Sequence, residues 1–280
     1  MRSQNARNLL LAVALAIAPA ASWAATPGAG LNGTAHDFAG GNGIATNVPG
    51  GVGVCTYCHT PHKALSTQLL WNHTLSTNTF SWDVAKTTAG TDFPRVAGNT
   101  YKGPSAKCLS CHDGSVAVGD IAWYKEQAWP TASGLVAYPG GLPTSGGTLA
   151  ADFKMGDAGS DTSQFMIGPG GNMAGNHPVM MPYSYNQASN TYNASAGGAG
   201  LVLTEWQANP ASLGTSHIRL FNDDGSGNIT AGAVAGRTGI ECSSCHDPHN
   251  KATDDDWFLR GKMQGSSQAD GYICLQCHIK

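Results

Sequence analysis

Cys55-Thr56-Tyr57-Cys58-His59-Thr60-Pro61-His62 sets two thiols three positions apart, a histidine directly after the second, and another histidine three positions on. Cys242-Ser243-Ser244-Cys245-His246-Asp247-Pro248-His249 repeats the pattern with different filler residues. Two shorter copies, Cys108–His112 and Cys274–His278, stop at the first histidine. Together the four copies use all 8 cysteines of the 280-residue chain. A Cys-x-x-Cys-His run reads as covalent haem attachment, the thiols bonding the porphyrin and the histidine approaching the iron. One copy would also fit a dithiol site. Four copies with no cysteine left over predict four haem c groups (Fe), with Cys55, Cys58, Cys108, Cys111, Cys242, Cys245, Cys274 and Cys277 as tethers.

His59, His112, His246 and His278 are then the first iron ligands, each with its second ring nitrogen donating to a neighbouring group. Six other histidines are candidates for the opposite positions: His36, His62, His73, His177, His217 and His249. His62 and His249 follow the extended motifs and suit a neighbouring haem rather than their own. His36 and His177 hold matching places ahead of each motif pair. His73 follows Trp71, and His217 sits beside Arg219, whose fork suits a carboxylate. Met173, Met180 and Met181 are the rival thioether ligands, set against a role as gap fillers.

The ends of the chain and its composition bound the rest. Arg2 and Arg7, the apolar run from Leu9 to Ala18 and Ser22-Trp23-Ala24 resemble a secretory signal over residues 1–24, with no integral membrane segment after its cleavage. Secretion to the exterior or cell surface follows, with the periplasm as the alternative. The formal charge is -3, with 15 Lys and Arg and no basic run, so a nucleic-acid surface is excluded. Residues 25–130 form a first dihaem region and 217–280 a second. Between them, 131–216 is rich in Gly, Ala, Ser and Asn, and His177 within it is a possible ligand donor. The repeated order of histidine, extended motif and simple motif suggests an old duplication.

The expected fold is a multihaem cytochrome c, mostly coil with short helices and few strands wrapped around four haems. Gly134–Tyr138 and Leu201–Leu203 are candidate strands, Ile121–Ala128 a candidate helix, and Pro61 and Pro248 resist long helices. Asn222–Ile229 has some flavour of a calcium loop but has Ala233 where the bidentate glutamate belongs, so it reads as a turn. Asp254-Asp255-Asp256 reads as a solvated patch.

Ala35-His36-Asp37-Phe38, Cys55–His62, Leu70-Trp71-Asn72-His73, Cys108–Gly114, His177-Pro178-Val179 and Cys242–His249 resemble secreted multihaem c-type cytochromes. The chain is most similar, within that group, to tetrahaem subunits of extracellular cytochrome nanowires. The resemblance implies electron transfer along a haem chain in a homopolymer, without catalysis, with one inter-subunit haem ligand. His36, close to the expected mature start, is the choice for that ligand. It also implies a redox protein or extracellular acceptor as partner. The alternatives are a soluble periplasmic tetrahaem shuttle and a multihaem oxidoreductase with an open iron position.

Overall fold

The computed structural model describes residues 26–38, 54–61, 64, 68–83, 93, 95–118, 120, 128–131, 134–137, 154–157, 163–187, 189–193, 206–210, 217–226 and 228–279. Among them, strands β1 (Thr79–Phe80) and β2 (Val96–Ala97) form one antiparallel pair, and β3 (Ala128–Thr131) and β4 (Gly134–Ala137) another. A four-stranded antiparallel sheet joins β5 (Met181–Pro182), β6 (Phe221–Asp223), β7 (Ile229–Ala231) and β8 (Thr238–Ile240) in the order β5-β8-β6-β7. Three α-helices accompany them: α1 (Pro104–His112), α2 (Cys242–Cys245) and α3 (Ile273–Cys277).

This corrects the expected coil-dominated cytochrome fold. The described architecture is mixed, with short helices and three antiparallel sheets, one of them four strands wide. The reasons lie in local chemistry. The β6–β7 hairpin closes because the Asp224 carboxylate accepts from the backbone N–H of Ser226 (2.8 Å) and Asn228 (3.1 Å), with Gly225 at φ 78°. That turn is the stretch with calcium-loop flavour, and its lead carboxylate is committed to the hairpin. Pro182, which has no N–H to donate, sits in edge strand β5, where one is not required. Gly239 in central strand β8 lies under the Tyr192 ring, where a Cβ would come within 2.3 Å of a ring carbon. Ala128, expected to close a helix begun at Ile121, opens β3 instead, and β4 occupies most of Gly134–Tyr138. Leu201–Leu203 lie outside the described residues.

The main apolar core draws on separate parts of the chain. Phe80, Trp82, Val96, Tyr101 and Leu109 meet Met173, Met180 and Tyr192 from the middle and Phe221 and Ile229 from the hairpin. A second cluster joins Met181, Tyr183, Leu220 and Ile240, with Trp206 and Cys277 packed against it. Met173, Met180 and Met181 are thus core residues, as burial of an unbranched thioether favours. No helix among the described residues is long and apolar enough to cross a membrane.

Candidate functional site

Each Cys-x-x-Cys-His unit is built on a short helical turn. Pro104 at the start of α1, where a missing N–H costs nothing, opens the helix that carries Cys108, Cys111 and His112. Positions i, i+3 and i+4 share a helix face, so both thiols and the imidazole stand together. The 3-10 turn Val54–Tyr57, α2 and α3 serve the other three units. In the last two, His246 and His278 leave the helix in extended conformation, which carries the ring away from the helix axis.

Three of the unit histidines have Nδ1 on a backbone carbonyl. His59 reaches Leu69 O at 2.6 Å, His112 reaches Phe165 O at 3.0 Å, and His246 reaches Trp257 O at 2.9 Å. A carbonyl only accepts, so Nδ1 carries the proton and Nε2 presents its lone pair. Desolvation by burial holds the His112 and His246 rings below their ordinary pKa, which keeps them neutral. Outside the units, burial brings His36 down to about 4, although its ring donates to the Pro248 carbonyl. His177 Nδ1 donates to Pro178 O at 2.9 Å. A neutral imidazole with one nitrogen so occupied is the form that binds a metal.

Three of these rings have a second imidazole opposite. Ring centroids are 6.1 Å apart for His59 and His249, 6.2 Å for His36 and His112, and 6.4 Å for His177 and His278. A metal–nitrogen bond of about 2.0–2.1 Å, with each nitrogen about 1.1 Å from its ring centre, puts two imidazoles on one metal at about 6.3 Å. A direct N–H···N bond of about 3 Å would bring the centroids to about 5.2 Å. The observed separations are compatible with one metal atom between the rings and exceed direct hydrogen bonding, while also lying in the range of ordinary ring packing. The ring planes meet at 19°, 65° and 68°, all open to ligands that rotate about the metal–nitrogen axis.

The thiols bring successive units within electrostatic reach of one another. Cys58 lies in the field of the Cys111 pair, the Cys242 thiol hydrogen-bonds Cys108, and Cys245 lies close to Cys274 and Cys277. No two of the eight cysteines are joined in a disulfide. Burial pushes Cys58 and Cys245 up to about 11 and Cys111 up to about 12, and it raises Cys277 as well. Such thiols stay protonated near neutral pH, which suits neither thiolate ligation nor redox nucleophilicity.

Glu241 joins the second unit to the third. It is 0% exposed, and its carboxylate accepts from the hydroxyls of Tyr101 and Tyr192 and from the Ser105 N–H at 2.9 Å. Ser105 Oγ in turn accepts from Cys242 N at 2.8 Å, so α1 and α2 are stitched across 137 residues of sequence. Sequence reasoning missed Glu241. Its one signal was the capping box it makes with Ser244, three residues on.

The remaining candidates fall apart from these pairs. His73 is buried beside Trp71, whose ring centroid is 5.7 Å away, and its Nδ1 has no hydrogen-bond partner. His217 is exposed, with Nε2 3.4 Å from Asp254. His246 has no opposed imidazole among the described residues. His62 and the signal-like residues 1–24 lie outside them.

Neither a scan against protein-family models nor a search of curated proteins finds a match to this chain. Membership in the multihaem c-type cytochromes and likeness to a nanowire subunit therefore find no support there, and both expectations are set aside. Among the described residues, moreover, no group of three or more His, Cys, Asp or Glu is placed to hold a metal ion. The expectation of four haem c groups, and of electron transfer through them in a filament, is corrected with it. Among the described residues the imidazoles come together only in pairs.

Proposed function

We propose that the chain is a binding protein for metal-centred groups, each gripped between two imidazoles, and is not an enzyme. The paired rings at 6.1, 6.2 and 6.4 Å carry this reading, because the spacing leaves room for one metal atom between two ring nitrogens. His59 with His249, His36 with His112, and His177 with His278 are the proposed ligand pairs. Two imidazoles leave further coordination positions to be filled, and no side chain among the described residues is placed to fill them. When bound, the group supplies whatever redox or Lewis-acid chemistry its metal carries. The chain itself orients the rings, through the backbone carbonyls that hold Nδ1 of His59, His112 and His177.

His246 has the same Nδ1 anchor without an opposed ring. A second copy of the chain is the partner this arrangement suggests, contributing an imidazole opposite His246.

Metal analysis of the native full-length chain tests this, together with absorption spectra of the bound metal. The expected result is at least one metal per opposed pair, lost from that pair when either histidine is replaced. A native chain that holds no metal would overturn the reading.

A further inference from the structure

Two distant parts of the chain build the same bracket. Leu69 and Leu70 are both left-handed, at φ 61° and 50°, and so are Trp257 and Phe258, at φ 60° and 61°. The first residue of each pair offers its carbonyl to a unit histidine, Leu69 O to His59 Nδ1 and Trp257 O to His246 Nδ1. The second residue's carbonyl accepts from the next backbone N–H of the unit. Thr60 N donates to Leu70 O at 2.9 Å, and Asp247 N donates to Phe258 O at 2.7 Å. Beyond the pair, Asn72 N donates to Cys58 O and Arg260 N to Cys245 O. The side chains of those two residues reach equivalent carbonyls as well, Asn72 Nδ2 to Thr56 O and Arg260 Nε to Ser243 O.

Left-handed backbone is costly for any residue with a Cβ, and doubly so for two bulky residues in succession. Glycine is the residue that usually fills such positions. Leu69, Leu70 and Trp257 are also 57%, 47% and 48% exposed, so they gain little from apolar burial. What the strained pair does achieve is the direction of one carbonyl.

We propose that Leu69–Leu70 and Trp257–Phe258 are tautomer clips, positioning residues whose left-handed turn fixes the proton of His59 and His246 on Nδ1. Nε2 is thereby kept as the ligand atom before any group arrives. This rests on the reading of those two histidines as ligands. The second unit reaches the same end with ordinary backbone, since Phe165, which accepts from His112 Nδ1, is not left-handed.

Glycine and valine variants of the full-length native protein separate the clip from the side chain. Both remove the leucine or indole, but glycine accepts φ near +60° and β-branched valine resists it. Nitrogen-15 spectra of labelled histidines, taken in the diamagnetic state, read the tautomer. Leu69→Gly and Trp257→Gly should keep the Nδ1–H form of the adjacent histidine. Leu69→Val should reduce the Nδ1–H to Nε2–H ratio, or the fraction of ligated Nε2, at least tenfold at His59 alone. Trp257→Val should do so at His246 alone. Equal behaviour of the glycine and valine variants would overturn the clip, as would loss of signal at both sites together in a valine variant. A native chain with no attached group but an intact glycine–valine contrast would sink the ligand reading and leave the clip standing.

Discussion

The first and third Cys-x-x-Cys-His units share a backbone and differ in what surrounds it. Both hold their histidine by a left-handed dipeptide, and both close the bracket with a side chain on the carbonyl after the first cysteine. Yet His59 faces His249, contributed from the far end of the chain, while His246 faces no imidazole among the described residues. Val54 precedes the first unit where buried Glu241 precedes the third. Buried His73 follows Asn72 where Gly261 follows Arg260. The repeated part is the device that aims a ring; the divergent part decides what that ring meets and how the unit is anchored. Such a split fits duplication of a scaffold followed by separate specialisation of its two copies.

The anchor should show the largest difference. Glu241→Ala would strip partners from two buried tyrosine hydroxyls and the Ser105 N–H. The expected loss is about 3 kcal/mol or more of unfolding free energy in chemical denaturation. Glu241→Gln, which keeps the shape and one acceptor, should lose clearly less. Val54→Ala at the equivalent place should change stability by under about 1 kcal/mol. Equal losses at positions 54 and 241 would break the contrast between the units.

Acid should distinguish them next. Burial brings His73 down to about 4, against an ordinary value of 6.5. Its folded pKa is depressed, so below pH 6.5 the unfolded chain takes up a proton that the folded chain refuses. Stability should therefore fall as pH drops from 6.5 towards 4, by at most about 3 kcal/mol from this residue. Above pH 6.5 the residue contributes no slope. His73→Phe should reduce the slope in that window in denaturation measured at several pH values, leaving the share of His36, His112 and His246, and an unchanged slope would remove His73 as a source. A smaller and purely local effect belongs to His249→Ala. It should release one of two metal bonds at the first unit, weakening retention there at least tenfold, about 1.4 kcal/mol. The spectrum of the third unit should not move.

What was legible in the sequence was local. The i, i+3, i+4 spacing of Cys108, Cys111 and His112 places them on one helix face, and the Asp-Gly-Ser-Gly-Asn run marks a turn. The four-stranded sheet was not legible, because strands of two or three residues are too short to show alternation. Nor were the brackets, since neither Leu-Leu nor Trp-Phe carries the glycine or asparagine that announces left-handed backbone. Pairings such as His59 with His249 span 190 positions, and no spacing rule reaches so far. Nor does the order of histidines along the chain show that the His36 ring packs on Phe258 at 4.8 Å and lies 6.2 Å from His112.

The smallest expected effect bears most directly on the shared backbone. Left-handed φ costs a bulky residue about 1–2 kcal/mol, while a glycine adds about 0.5–1 kcal/mol of unfolded-state entropy. Trp257→Gly should therefore leave unfolding stability unchanged or raise it by up to about 1 kcal/mol, where an exposed loop residue in ordinary conformation would lose stability on the same change. Leu69→Gly should give the same sign, because its φ matches. Trp257→Val should lose about 1 kcal/mol relative to the glycine variant, measured by urea denaturation side by side. If glycine is the more damaging substitution at 257 and neutral at 69, the two brackets are not equivalent. The likeness between the units would then end at their cysteines and histidines.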